Sequence, residues 1–169
     1  MKVFITGQPG CGKSTLVMQI ADALKASGWK VGGILTPEVR EHGHRLGFKV
    51  VDIVSKREAW LASIHIPTKN MVGKYYVHVD DFESIAIPAL EYALNECNLI
   101  IIDEIGKMEM FSQNFRELLE KILKSDKNLL AVVHRAYAQK LKQYGKLFWL
   151  TRENFEKVKR EALLDFMKK

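Results

Sequence analysis

The chain has 169 residues, 47 % of them hydrophobic. That suits one compact domain with a real core and excludes both a disordered chain and two full-sized domains. The apolar run 99–102 is far too short to cross a bilayer, and the chain passes from Met1 and Lys2 straight into a short strand, unlike a secretory signal. The expectation is a cytoplasmic protein that makes no use of a membrane. The net charge of +6 is spread over helical surfaces and the tail (Lys157, Lys159, Lys168, Lys169), with no basic run interleaved with aromatics. A nucleic-acid partner is permitted by that charge but not indicated. The two cysteines, Cys11 and Cys97, read as free thiols.

In chain order, 2–6 is a short apolar strand. Leu16, Val17, Ile20, Ala21 and Leu24 then recur at helical spacing, and Gly28 closes the helix. A second strand follows at 31–36. Leu46, Phe48 and Val50 alternate as in a half-buried strand, and the turn-like run 40–45 makes 34–53 an antiparallel hairpin. The periodicity of 55–72 is too weak to assign. Tyr75, Val77 and Val79 alternate in a strand at 74–79. From residue 81, Phe82, Ile85, Ala86, Ala89, Leu90, Ala93 and Leu94 form a helical stripe, in which Pro88 must kink the helix or mark a late start. A buried strand at 99–103 comes next, then a helix through Phe115, Leu118, Leu119, Ile122 and Leu123. Strand 129–133, a short helix at 136–143, strand 147–150 and a final helix marked by Phe155, Val158, Ala162 and Phe166 complete the chain. This alternation argues for a mostly parallel sheet covered on both faces. The region 34–79 reads as an antiparallel β insertion on its edge, within a single domain, 1–169.

Two segments carry chemistry. Gly7, Gln8, Pro9, Gly10, Cys11, Gly12, Lys13 and Ser14 fit G-x-x-x-x-G-K-[ST] between a strand and a helix. The glycines let successive N–H groups turn inward onto phosphate oxygens, and the helix N-terminus adds partial positive charge. Lys13 can bridge β- and γ-phosphates, the Ser14 hydroxyl can ligate Mg²⁺, and Thr15 is positioned for the α-phosphate. The second segment is Leu99, Ile100, Ile101, Ile102, Asp103, Glu104, Ile105 and Gly106: a buried strand that ends in two carboxylates, in the form of a Walker B strand. Asp103 emerges at the strand's C-terminal edge to hold Mg²⁺, with Ser14 as the other metal-binding side chain. Strand alternation turns Glu104 to the opposite side, toward the γ-phosphate, as base or positioner for an attacking water. Residues 103–106 also match D-x-x-G, but no N-K-x-D follows, so strict guanine selectivity is not expected. The expected fold class is α/β: a P-loop NTPase with a doubly wound, mostly parallel sheet of RecA-like, hydrolytic-glutamate type and an antiparallel β insertion.

The segments MKVFITGQPGCGKST, GGILTPEVR, RLGFKVVDI, VGKYYVHVDDFE and LIIIDEIGKMEM, in that order, resemble a small archaeal and bacterial nucleoside-triphosphatase family with a human cancer-related homologue. The resemblance spans nearly the whole chain. It implies slow hydrolysis of ATP, GTP, CTP, UTP and TTP with little base preference, and nucleotide contacts along 7–14 and 99–106. The run 56–62 departs from it, because a glycine-containing turn is expected before Leu61 and Ala62.

Weaker candidates surround these. Arg135, just after the strand at 129–133, is a candidate catalytic residue for stabilising transition-state charge beside Lys13 and Glu104, against the plainer reading of a surface arginine. His134 reads as a packed or exposed histidine. Lys107 follows Gly106 within reach of a phosphate if the loop moves. Arg40, Arg45 and Arg57 in the insertion read as a solvated rim, with a lid over the triphosphate as the alternative. His42 and His44 do not enclose a cation. Trp29, Trp60 and Trp149 read as core or interface residues. The alternatives to hydrolysis are a kinase for a nucleotide, another small molecule or a polynucleotide, and a slow NTP-driven switch. The sequence leaves oligomeric state open.

Overall fold

The computed structural model describes residues 1–168. Ten strands form one mixed sheet: β1 (Lys2–Gly7), β2 (Val31–Leu35), β3 (Glu38–Glu41), β4 (His44–Asp52), β5 (Glu58–Ser63), β6 (Met71–Val72), β7 (Tyr75–Val77), β8 (Leu99–Ile105), β9 (Asn128–Val133) and β10 (Lys146–Leu150). Five α-helices connect or cover them: α1 (Lys13–Ala26), α2 (Val79–Glu96), α3 (Gln113–Lys124), α4 (Arg135–Leu141) and α5 (Phe155–Met167). The strand order is β10-β1-β9-β8-β2-β4-β5-β7-β6, with β3 paired to β4. Strands β10, β1, β9, β8 and β2 run parallel, whereas β4, β5, β7 and β6 pair antiparallel. One strand, β9, separates the strand that leads into the glycine loop from the one that ends in carboxylates, as the RecA-like expectation requires. The β insertion is an extension of the same sheet beyond β2.

Alternation along the parallel strands builds two cores. Phe4, Ile100, Ile102, Leu129 and Ala131 face α2 and α3 and pack with Phe82, Leu90, Phe115 and Ile122. Val3, Ile5, Leu99, Ile101, Leu130 and Val132 face α1 and α5 and pack with Leu16, Val17, Ile20, Val158 and Phe166. Apolar from Leu99 through Ile102, β8 is buried on both faces along that run, as a central parallel strand must be. The sheet therefore presents its C-terminal edge, lined by the ends of β1, β8 and β9, to one cleft.

The structure departs from or extends the sequence reading at three places. Helix α2 begins at Val79 and runs through Pro88, because its buried stripe from Phe82 to Leu94 outweighs one missing N–H. The preceding strand β7 is correspondingly short. The unassigned stretch 55–72 contains β5 and β6; Ala59, Ala62 and Ser63 blunt the strand signal there. Trp149 lies on the edge strand β10 and is exposed, outside the core. Trp29 does pack, edge-on against Phe166 with centroids 6.1 Å apart, and Trp60 is half-buried beneath the Lys49 ammonium.

Candidate functional site

The glycine loop joins β1 to α1. Gly12 is the N-cap of α1 at φ 98°, ψ 20°, a left-handed conformation that an L side chain resists. This turn brings Lys13 and Ser14, the first residues of α1, to the cleft, and the N–H groups of Lys13, Ser14 and Thr15 lie outside the helical ladder. The Lys13 ammonium donates to the Gly7 and Gln8 carbonyls, each at 3.0 Å, and so lies folded over the loop. Cys11 is half-buried and Cys97 buried; both are free thiols.

At the end of β8, Asp103 is buried and Glu104 half-buried. The β8–β9 register slips between Asp103 and Ile105. The expected separation to opposite sides is not what is found: Asp103 and Glu104 both line the same cleft. Burial raises the pKa of Asp103, while the nearby Ser14 hydroxyl and the charge of Lys13 pull it back. Burial also raises that of Glu104, the Asp103 charge adds to the rise, and Lys13 opposes it. Ser14, Asp103, Lys13 and Glu104 thus come together as the two sequence segments imply.

Two residues that sequence reasoning passed over complete the floor. The Thr36 hydroxyl, just past β2, donates to the Asp103 carbonyl at 2.7 Å and accepts the Glu104 N–H at 2.9 Å. Glu109, in a single 3₁₀ turn after β8, is 3 % exposed. Its carboxyl is pushed up to about 8, first by burial and then by the charge of Glu104, with Asp103 adding less. A Cβ on Gly106 would stand 3.1 Å from Glu109 Oε1 and 3.2 Å from Glu104 Oε1. Glycine there leaves room for both carboxyl groups. A cue for Glu109 does exist in the sequence, since it is one acid between Met108 and the apolar pair Met110 and Phe111.

Arg135 opens α4 at the rim, its guanidinium donating to Gln8 Oε1 at 3.1 Å, which ties it across to the glycine loop. His134 caps α4: its Nδ1 accepts the Ala136 N–H at 3.1 Å. Burial, then Arg135, Lys107 and Lys13, lower its pKa. Lys107 is exposed and also lines the cleft. Arg40 and Arg45 pair with Glu38, and Arg45 donates to the Tyr75 hydroxyl, so these two hold the insertion together. Arg57 is exposed. The cleft encloses about 470 Å³, and its far wall is apolar: Phe48, Leu61, Val72 and Met108. No helix among the described residues is long and apolar enough to cross a membrane.

A doubly wound sheet with a glycine loop at the end of one strand and a carboxylate pair two strands away defines a P-loop NTPase. A family model described as NTPase matches residues 2–163, and the chain belongs to that family. The chain is 44 % identical to nucleoside-triphosphatase THEP1 of Methanocaldococcus jannaschii over 163 residues, covering 96 % of this chain and 95 % of that one. It is 42 % identical to the THEP1 of Pyrococcus abyssi, covering 99 % and 93 %. The fold superimposes on the crystal structure of THEP1 from the hyperthermophile Aquifex aeolicus with a TM-score of 0.87 at 34 % identity, over 99 % of this chain and 100 % of that one. The solution structure of a human cancer-related nucleoside triphosphatase aligns with a TM-score of 0.81 at 32 % identity, over 98 % and 97 %. The enzyme is a nucleoside-triphosphatase.

Proposed function

We propose that this single-domain protein is a Mg²⁺-dependent enzyme of the cytoplasm. It hydrolyses the terminal phosphate of ATP, GTP, CTP, UTP and TTP with little base selectivity. The observation that carries the reading is the convergence of Lys13, Ser14, Asp103 and Glu104 on one cleft. The relatives' shared name specifies no base, and the chain lacks a guanine-reading N-K-x-D segment.

The donor set suits a hard cation. Ser14 and Asp103 offer neighbouring oxygens that would hold the ion, and a cation would offset the burial that disfavours the Asp103 charge. No group of three or more His, Cys, Asp or Glu side chains forms a cage among the described residues. That fits Mg²⁺, which takes few protein ligands and fills its shell with water and phosphate oxygens. When bound, the ion would supply charge neutralisation to the triphosphate.

The protein's own residues do the rest. Loop amides and Lys13 hold the triphosphate and stabilise charge that develops on the β–γ bridging oxygen. Glu104, with its pKa raised by burial, accepts a proton from the attacking water as the water oxygen bonds to the γ-phosphorus and the bridging bond breaks. Arg135, tethered at the rim, offers positive charge to the departing phosphoryl group. A second reading, transfer to an acceptor hydroxyl, draws support from the apolar wall of Phe48, Leu61, Val72 and Met108, which hydrolysis does not require. The test is phosphate release from the five nucleotides with Mg²⁺ or EDTA. Comparable Mg²⁺-dependent rates across the five support hydrolysis without base selection; turnover in EDTA, or with one base only, overturns it.

A further inference from the structure

Within the cleft, the carboxylate of Glu104 takes no hydrogen bond from any side chain or backbone group among the described residues, although it is the candidate base. Its aim must therefore come from its own backbone. That backbone sits on a bulge, where the β8–β9 register has slipped and ladder hydrogen bonds no longer fix each residue. Thr36 meets this weak point from the neighbouring strand. Register pairs Leu35 of β2 with Asp103, so Thr36 falls beside the Asp103–Glu104 peptide. Its N–H and its hydroxyl both donate to the Asp103 carbonyl, and the hydroxyl oxygen accepts from the Glu104 N–H.

Thr36 is itself well fixed. Pro37 follows it and restricts it to extended conformations. The Pro37 carbonyl accepts the Lys49 N–H at 3.0 Å, which ties this corner to β4. A β-branched side chain has little χ1 freedom, so the hydroxyl's direction is set once the backbone is. Its single proton and one lone pair are both committed to the 103–104 peptide.

We propose that Thr36 is a positioning residue for hydrolysis: its hydroxyl grips both ends of the Asp103–Glu104 peptide and thereby aims Glu104 at the attacking water. The inference rests on the reading of Glu104 as the water-activating group. Thr36 acts through Glu104, and therefore its loss matters only while Glu104 can act.

The experiment is a mutant cycle on the full chain: wild type, Thr36→Ser, Thr36→Val, Thr36→Ala, Glu104→Gln and the double variant Thr36→Val/Glu104→Gln. Steady-state turnover, affinity for a fluorescent nucleotide, Mg²⁺ half-saturation and thermal unfolding are read for each. Misplacing a catalytic group by about 1 Å costs on the order of 100-fold. The expected kcat losses are therefore roughly 10- to 100-fold for the Val and Ala variants, with nucleotide affinity and Mg²⁺ half-saturation unchanged and the Ser variant close to wild type. In the Glu104→Gln background, Thr36→Val adds no further loss. Three results overturn the inference while sparing the reading of Glu104: wild-type turnover in the Val and Ala variants, a shifted Mg²⁺ half-saturation, or a Thr36→Val loss of the same size in the Glu104→Gln background. Wild-type turnover by Glu104→Gln overturns the reading itself, and the inference with it. The Ala variant carries the comparison if valine lowers the unfolding temperature.

Discussion

Replacing Glu109 by glutamine keeps the shape of a buried side chain and removes its proton. In the fold this carboxyl is 3 % exposed and faces Glu104 and Asp103 of β8, and its pKa rises from 4.5 to about 8. Of the elements packed on its turn, α2 contributes Glu83, which is engaged by Ser112 and Asn114. A raised carboxyl pKa means that the folded state holds a proton the unfolded chain has released. Stability is full below about pH 4.5, falls as pH rises, and levels off above about 8. At about 1.4 kcal/mol per pH unit, the ionised form costs the fold on the order of 5 kcal/mol. Glutamine carries no such penalty. Urea unfolding without nucleotide, in EDTA, at pH 5 and pH 8.5, should show Glu109→Gln gaining several kcal/mol on wild type at the higher pH. Taking the difference between the two proteins cancels most of what Asp103 and Glu104 contribute. Parallel stability curves for the two proteins would refute the argument that Glu109 is buried as a neutral acid.

Two further expectations concern the backbone. Lys56 sits at φ 67° in an exposed turn. The left-handed conformation costs an L residue about 1–2 kcal/mol, part of which glycine gives back as unfolded-chain entropy. Lys56→Gly should therefore raise stability by roughly 0.5–1 kcal/mol, read as a higher urea midpoint with an unchanged slope. Gly33 lies mid-strand in β2 at φ 124°, where a Cβ would stand 2.0 Å from the Ile101 carbonyl oxygen. Gly33→Ala should cost more than about 4 kcal/mol and leave little soluble protein; a melting temperature within a few degrees of wild type would contradict that.

What the sequence displayed well was whatever is contiguous along the chain. The glycine loop needs only its own eight residues and the strand and helix beside them. The apolar run that ends in Asp103 announces both a doubly buried strand and a carboxylate at its edge. Alternating helices and strands then supply a parallel sheet. Features that arise from apposition across the chain left little trace. Thr36 meets the 103–104 peptide 67 residues away, and no local pattern announces that meeting. The register slip at the end of β8, where Asp103 and Glu104 meet one cleft, defeats simple alternation. Strand β5 has alanine and serine where a strand signal would be strongest. The run 56–62, which lacks the glycine expected from the family resemblance, bends at Lys56 instead, a non-glycine residue taking the left-handed conformation.

We propose Glu104 as the group that activates the attacking water in a site otherwise built for binding. The most direct measurement is single-turnover phosphate release by Glu104→Gln at saturating Mg²⁺–ATP, alongside its nucleotide affinity. A positioned general base contributes about 100- to 10,000-fold. Wild-type affinity with a rate reduced by that order is the expected result. Wild-type release, or loss of nucleotide binding in step with loss of rate, would contradict it.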